Sequence, residues 1–369
     1  TALNRAGDHA WLQGIRHQLE HVAWDGFRFY DLIFPLFVFI SGVSAVFSLA
    51  KAKERGGVGE AARRVVLRGL LLFGVGVFYS GGLSRGWDEI RWLGVLQRIA
   101  LSYVGAGLLF LALPARALYG AWAGLLLGYW AILGLVPVRD IALDRRPMAE
   151  LMQRTGETNA RTLYQAATHR VRNVYDPGRN VAHHFDFRHL PGRRYDVYWD
   201  PEGVVSTLGG VASCLLGVLA GRVLRDHRLG PASKTIRLGL AGVACVGAGL
   251  AWSTVLPVIK KIWTPSFVLV AGGCSLGLLA LFHQLVDGLG WRRWCQPFVW
   301  IGTNALTVYL AANILGASGG FAGIAGRVLG GPVAGALGAW GGAVVSIGGL
   351  GVMFLFARAL YRRGIFLRL

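Results

Sequence analysis

The sequence is poor in charge. Only 15% of its 369 residues are Asp, Glu, Lys or Arg, against roughly 25% in an ordinary soluble chain. Whole stretches have no charge at all: 117–138, 203–221, 238–259, 262–286, 294–326 and 328–357. A helix needs about 20 apolar residues to cross a bilayer, so these runs argue against a soluble globular protein. Cysteine is also scarce. Cys214, Cys245, Cys274 and Cys295 have no metal-ligand spacing, and the first three fall inside expected membrane spans, which points to packing rather than a disulfide or zinc framework. Acidic residues are few, 19 against 38 Lys and Arg, leaving a net charge of +19. In a chain this apolar, with a mean hydropathy of +0.48, that excess reflects topology rather than nucleic-acid binding, because Lys and Arg gather in cytoplasmic loops.

What is present is a polytopic, all-α transmembrane bundle. Nine helices are expected near 29–50, 65–82, 93–113, 117–136, 204–224, 236–256, 266–287, 297–317 and 340–362, with Gly-rich 318–339 as a loop or re-entrant segment. Glycine is abundant, 54 residues, and small residues let membrane helices approach closely. The short basic loops (51–68, Arg116, 222–237, Arg292–Arg293 and the tail from Arg358) fall on one side if the helices alternate, which would be the cytoplasm. Residues 1–28, 83–92, the long loop 137–203 and 257–265 then face outward. The expected organisation is an N-terminal membrane half (1–136), an external cap (137–203) and a C-terminal membrane half (204–369). The cap holds His183, His184 and His189, but neighbouring histidines need not share a centre, and no metal site is expected.

Ionisable groups at the mouths of apolar helices are costly and call for a reason. His21 and Asp31 flank HVAWDGFRFYDLIFPLFVFISG. Gln97 and Arg98 sit in RWLGVLQRIALSY, Asp200 and Glu202 in YWDPEGVVSTL, and Lys260 and Lys261 in VIKKIWTPSF. Singly, each has a bland explanation: Asp31 and Asp200 as N-caps, Arg98 snorkelling outward, the lysines as interfacial anchors. Together they lie at one depth on the external side, which reads as a polar pocket. His283 falls at the opposite end of its helix, and Asn304 suits a hydrogen bond between helices. On this ground alone, enzyme and transporter both remain open.

At these residues the sequence resembles the transmembrane heparan-alpha-glucosaminide N-acetyltransferase family, especially its bacterial relatives. The similar stretches are HVAWDGFRFYDLIFPLFVFISGVS, RWLGVLQRIALSY, YWDPEGVVSTLGGVASCLLGVLAG, KKIWTPSFVL and IGTNALTVYL, in family order. The resemblance implies acetyl transfer from cytosolic acetyl-CoA to a glucosamine amine across an inner membrane, by a homodimer. It puts His21 at the family's active-site histidine, as general base or as acetyl carrier through an acetyl-histidine intermediate, and Asn4 at its asparagine. Asn4 would then close the family's first helix, giving ten spans in all. Asp31 would orient His21 or hold the sugar, and Arg98, Gln97, Asp200, Glu202 and Lys261 would line the acceptor pocket. Arg63, Arg64 and Arg68 are candidates for the phosphates of CoA. The chain departs from the pattern at Ile259, where relatives usually read Asn, and around 141–178, where its insert is longer. The competing expectation is a carrier of amino sugars or cell-wall fragments that uses the same pocket without CoA.

Overall fold

The computed structural model describes residues 10–84, 86–331 and 335–367. Its helices are α1 (Ala10–Gln18), α2 (Ile33–Tyr79), α3 (Val95–Ala112), α4 (Ala115–Leu135), α5 (Arg145–Thr155), α6 (Ala160–Ala166), α7 (Val181–His189), α8 (Thr207–Arg225), α9 (Pro231–Trp252), α10 (Pro265–His283), α11 (Gln296–Thr303), α12 (Ala305–Ile314), α13 (Gly320–Leu329) and α14 (Gly341–Arg362). The only sheet among the described residues is a two-residue antiparallel pair, Val138–Arg139 with Val171–Arg170. Among the described residues, seven helical segments are long and apolar enough to cross a membrane. The protein is an all-α polytopic membrane protein.

The chain divides into two compact units, His21–Gln284 and a second formed by residues 1–20 with 285–369. In the larger unit, the expected spans 29–50 and 65–82 run together as α2, and the basic stretch between them is helical too. The run is broken at Gly57, whose φ of 76° and ψ of −176° lie in a region essentially reserved for glycine. There the chain turns back. A Cβ placed on Gly107 of α3 would touch Val65 at 3.2 Å and Leu49 at 3.4 Å, whereas straight helix would hold those two residues roughly 24 Å apart. Leu49, Ala52, Ala61, Val65 and Tyr103 therefore share one apolar cluster. The first arm of α2 crosses α8 backbone to backbone: a Cβ on Gly42 would fall 1.9 Å from the Cys214 carbonyl oxygen, and one on Gly217 1.9 Å from that of Phe39. This close approach is what small residues permit where lipid gives helices no hydrophobic reason to associate. Around it lie Val38, Val46, Leu215, Val218, Trp263 and Phe267, all fully buried.

Residues 137–203 form a folded cap with its own apolar centre of Ile141, Leu143, Met148, Leu163 and Phe187. Tyr129 and Leu133 at the end of α4 pack against Val138 and Val181 and fasten the cap to the bundle. α7 begins where the Asn180 side chain accepts the His183 N–H, an N-cap that satisfies an otherwise orphaned donor. α10 begins likewise, at Thr264 with Pro265 in the first turn.

The smaller unit packs Val308, Phe321 and Ala357 together with Trp300 and Phe356. The expected span 297–317 is interrupted here. Asn304, at φ −124° and ψ 23°, ends α11, and α12 starts afresh at Ala305. The Gly-rich stretch 318–339 contains the ten-residue helix α13.

Candidate functional site

His21 lies in the loop before α2, and the structure joins it to the first turn of that helical run. Asp31, only 1% exposed, is held at the helix mouth. Its Oδ2 accepts the backbone N–H of Val22 at 3.2 Å and of Arg28 at 3.3 Å. Its Oδ1 lies 2.7 Å from His21 Nδ1 and accepts from Lys260 Nζ at 3.1 Å. Lys260 Nζ is also 3.0 Å from His21 Nδ1. An ammonium has donors only. His21 Nδ1 therefore faces both an acceptor, Asp31 Oδ1, and a donor, Lys260 Nζ; a proton on Nδ1 directed to Oδ1 would leave a lone pair on Nε2. The His21 side chain is 53% exposed, while its Nδ1 edge is fastened by Asp31 and Lys260. A histidine held beside a buried carboxylate in this way can serve chemically as a general base with an orienting carboxylate.

Lys260 reaches this point because the loop between α9 and α10 is pinned to the loop that carries His21. Gly26 N–H donates to the Val258 carbonyl at 2.9 Å, and Asp25 forms a bridge with Ile259. Thr264 Oγ1 accepts the Ile259 N–H and donates to the Pro257 carbonyl, closing the turn. Ile259 is fully buried, against Ala182 and Ile262, and packs on Trp24 and Tyr175. Burial lowers the Lys260 pKa from the usual ammonium range, and Asp31 opposes that shift.

The other expected residues gather elsewhere at the same end of this unit. Arg91 makes a bidentate pair with Asp200, at 2.9 and 2.8 Å, and reaches Glu202 at 2.8 Å. Burial works against the charge on Arg91, but Asp200 and then Glu202 outweigh it and hold the guanidinium above its ordinary value. Glu202 is pushed up by burial and by its neighbour Asp200. Gln97 donates to the Arg91 carbonyl at 3.5 Å. Arg98 is fully buried, donates to Ser206 Oγ and to the Gly203 carbonyl, and lies 4.8 Å from the centre of the Trp263 ring. Its Nε and Nη1 have no hydrogen-bond partner among the described residues. Asp186 of α7 accepts the N–H groups of Val204 and Asp200, yet burial pushes it up to about 7. Gln97, Arg98, Asp200 and Glu202 are thus brought together, chiefly with one another.

Lys261 turns away from Lys260 and stands 5.5 Å over the Trp199 ring. Trp199 stacks on His183 at 3.6 Å, and Trp24 meets both rings edge-on. The three cap histidines diverge: His183 toward Trp199, His184 toward Tyr164, His189 toward Phe185. Arg63 and Arg64 both pair with Glu60 just past the Gly57 turn, and Arg68 lies over Tyr103 at 4.9 Å. Asn4 lies outside the described residues. Reading the sequence alone singled out Lys261, whereas the structure places Lys260 on the histidine. The bridge at Ile259 sets which of the two adjacent lysines faces the site, and a KK pair carries no signal of that. Arg91 was also missed, although its position six residues before Gln97 made it available.

Residues 4–142, which include His21, Asp31 and Arg91, match the family described as "Heparan-alpha-glucosaminide N-acetyltransferase, catalytic". The human heparan-alpha-glucosaminide N-acetyltransferase is 26% identical over 336 residues, covering 80% of this chain and 48% of the human protein. The mouse protein of the same name is 26% identical over 339 residues, covering 80% and 49%. The chain spans about half the length of these curated relatives. These matches run through the His21 segment and on across most of the sequence, and they make the chain similar to the heparan-alpha-glucosaminide N-acetyltransferases.

Proposed function

We propose that this protein is a membrane acetyltransferase that moves an acetyl group from cytosolic acetyl-CoA to the amine of a glucosamine-type sugar on the outer side of an inner membrane, working as a homodimer. The observation that carries this reading is the exposed His21 imidazole, fixed through Nδ1 by buried Asp31 and Lys260. A sugar ammonium cannot attack a thioester. The ammonium first gives up one proton to solvent; as the freed amine adds to the acetyl carbonyl, His21 Nε2 takes a second N–H proton and hands it to the departing CoA thiolate, leaving an amide, the CoA thiol and one proton in solution. Asp31 keeps the ring in the productive tautomer and stabilises its cation, and Lys260 holds Asp31 in place. Asn4, by the family resemblance, donates to the developing oxyanion. At the opposite end of the bundle, Arg63, Arg64 and Arg68 supply cations for the CoA phosphates. Lys261, with Trp199, lines the acceptor side.

The test is transfer of labelled acetyl from acetyl-CoA to glucosamine by the purified protein in lipid vesicles. Wild type should acetylate the sugar and His21→Ala should not. Equal product from both would remove His21 from the reaction. Sugar uptake that needs no acetyl-CoA would replace the enzyme with a carrier.

A further inference from the structure

The cap contains a second concentration of charge, on the face of α7 away from Trp24. Two adjoining cavities of about 110 and 330 Å³ share Arg139, Tyr164, Arg188 and His189 as lining. Arg170 completes the smaller and Arg161 the larger. Among the described residues, no acidic side chain lines either cavity, and none of these four arginines has a carboxylate partner. The nearest carboxylate by sequence, Asp140, is occupied by Arg179 and by His169 at 3.3 Å. On the far side of α7, Asp186 is satisfied by backbone N–H groups.

The cluster is built rather than merely loose on the surface. Arg139 is fixed by two hydrogen bonds of 2.8 Å to the carbonyls of Gln165 and Ala167, and its guanidinium lies 5.2 Å from the centre of the Tyr164 ring. Beneath it His184 is 3% exposed, its Nδ1 is 3.3 Å from Tyr164 Oη, and its Nε2 has no hydrogen-bond partner among the described residues. Four guanidinium groups converging with no counter-charge repel one another, and a bound anion with several acceptor oxygens relieves this.

The setting identifies the carrier of that anion. The smaller cavity is also lined by Val136, which directly follows the last residue of the membrane helix α4, and by Phe185. Leu135 is 70% exposed, Val136 42% and Phe185 38%, so the rim offers apolar surface where a headgroup meets its chains. The larger cavity is near the lower bound of small-molecule sites, roughly 300–1,000 Å³, which suits a headgroup better than an extended polysaccharide. We propose that this groove binds the phosphate of a membrane lipid, with Arg139, Arg161, Arg170 and Arg188 as its cations and the lipid chains lying along the exposed end of α4. α7 then separates two sites, the lipid phosphate on the His184 face and the His21 region on the His183 face.

The test is ligand binding to the purified chain in detergent, measured by native mass spectrometry and by calorimetry. The probes are a short-chain phosphatidic acid, the matching phosphatidylcholine, inorganic phosphate and an acidic oligosaccharide. Phosphatidic acid should bind saturably, about tenfold or more tightly than the others, and less tightly as salt is raised. Arg170→Gln and Arg188→Gln, both on exposed side chains, should each weaken it by about tenfold, with the unliganded melting temperature reporting that the fold is kept. Arg161→Gln gives a third, independent position. Unchanged binding in the Arg170→Gln/Arg188→Gln double variant would overturn the site. Equal affinity for phosphatidylcholine would overturn the phosphate selectivity. Inorganic phosphate binding as tightly as the lipid would make it a free-ion site, and saturable binding of the oligosaccharide alone would make it a glycan site.

Discussion

The larger unit holds two acid–base clusters at one end, and they use similar residue types in opposite ways. In one, Asp31 and Lys260 are spent on a single imidazole whose far nitrogen is left open. In the other, Arg91, Asp200 and Glu202 close on each other, with Gln97 and Arg98 bonded to the backbone around them. The first arrangement fastens one edge of an otherwise half-exposed ring. The second is nearly complete, and it ties the start of α3 to the end of the cap and the start of α8. Charged residues near a membrane surface therefore do not all belong to a pocket. What separates the two roles is whether a donor or acceptor remains free in the direction of solvent.

Substitutions can break or sharpen that contrast. The largest effects should be of opposite kinds. His21→Ala should lower the rate of acetyl transfer by about 10²–10⁴-fold, the usual range for a lost general base, with the melting temperature unchanged. Arg91→Met strands buried Asp200 and should cost about 3–5 kcal/mol of stability, read as a large drop in melting temperature. If the two results were exchanged, the roles assigned to the clusters would be reversed. Lys260→Met comes next. It removes one charge-assisted hydrogen bond from Asp31, worth about 1.5–3 kcal/mol, and should slow the reaction roughly 10–100-fold, whereas Lys261→Met should leave Asp31 and His21 in register and act on acceptor KM instead.

A smaller effect concerns pH. Asp186 is pushed up to about 7 by burial. The folded chain then keeps a proton that the unfolded chain releases near pH 4, so this group favours folding at low pH and loses that contribution as pH rises toward 7. His184 runs the other way. Burial lowers it to about 4, so it favours folding above about pH 6.5 and loses that contribution as pH falls toward 4. The two offset each other in the wild type. Asp186→Asn removes the first of these contributions, so acidification from pH 7 to 5 should destabilise the variant more than the wild type, by a difference on the order of 1–2 kcal/mol. A parallel pH dependence in both proteins would contradict the assignment. The smallest effect is at the seam between the clusters. Trp24 donates to the Tyr175 carbonyl at 3.0 Å, and Trp24→Phe should cost about 1 kcal/mol while leaving His21 in place.

Much of this was legible in the order of residues. A charge-free run of twenty residues announces a membrane helix because its cost in water is paid residue by residue, without reference to any other part of the chain. An aspartate ten residues after a histidine, at the mouth of such a run, is equally local, and His21 with Asp31 was readable for that reason. Local composition was less informative where continuity was in question. The basic stretch 51–64 reads as a loop, yet helical hydrogen bonds continue through it, and only the Gly57 backbone makes the turn. Conversely, the apolar run 297–317 reads as one span and is broken at Asn304.

The sequence by itself settled the class of molecule and picked out the segment that carries His21 and Asp31, since both depend on hydropathy and on neighbours within a few turns. The tertiary structure alone decided which lysine serves that histidine, that Arg91 claims Asp200 and Glu202, and that four arginines of the cap converge without a carboxylate. Those outcomes join residues far apart along the chain. They are fixed by which backbones lie side by side after folding, and no nearest-neighbour pattern encodes that distance.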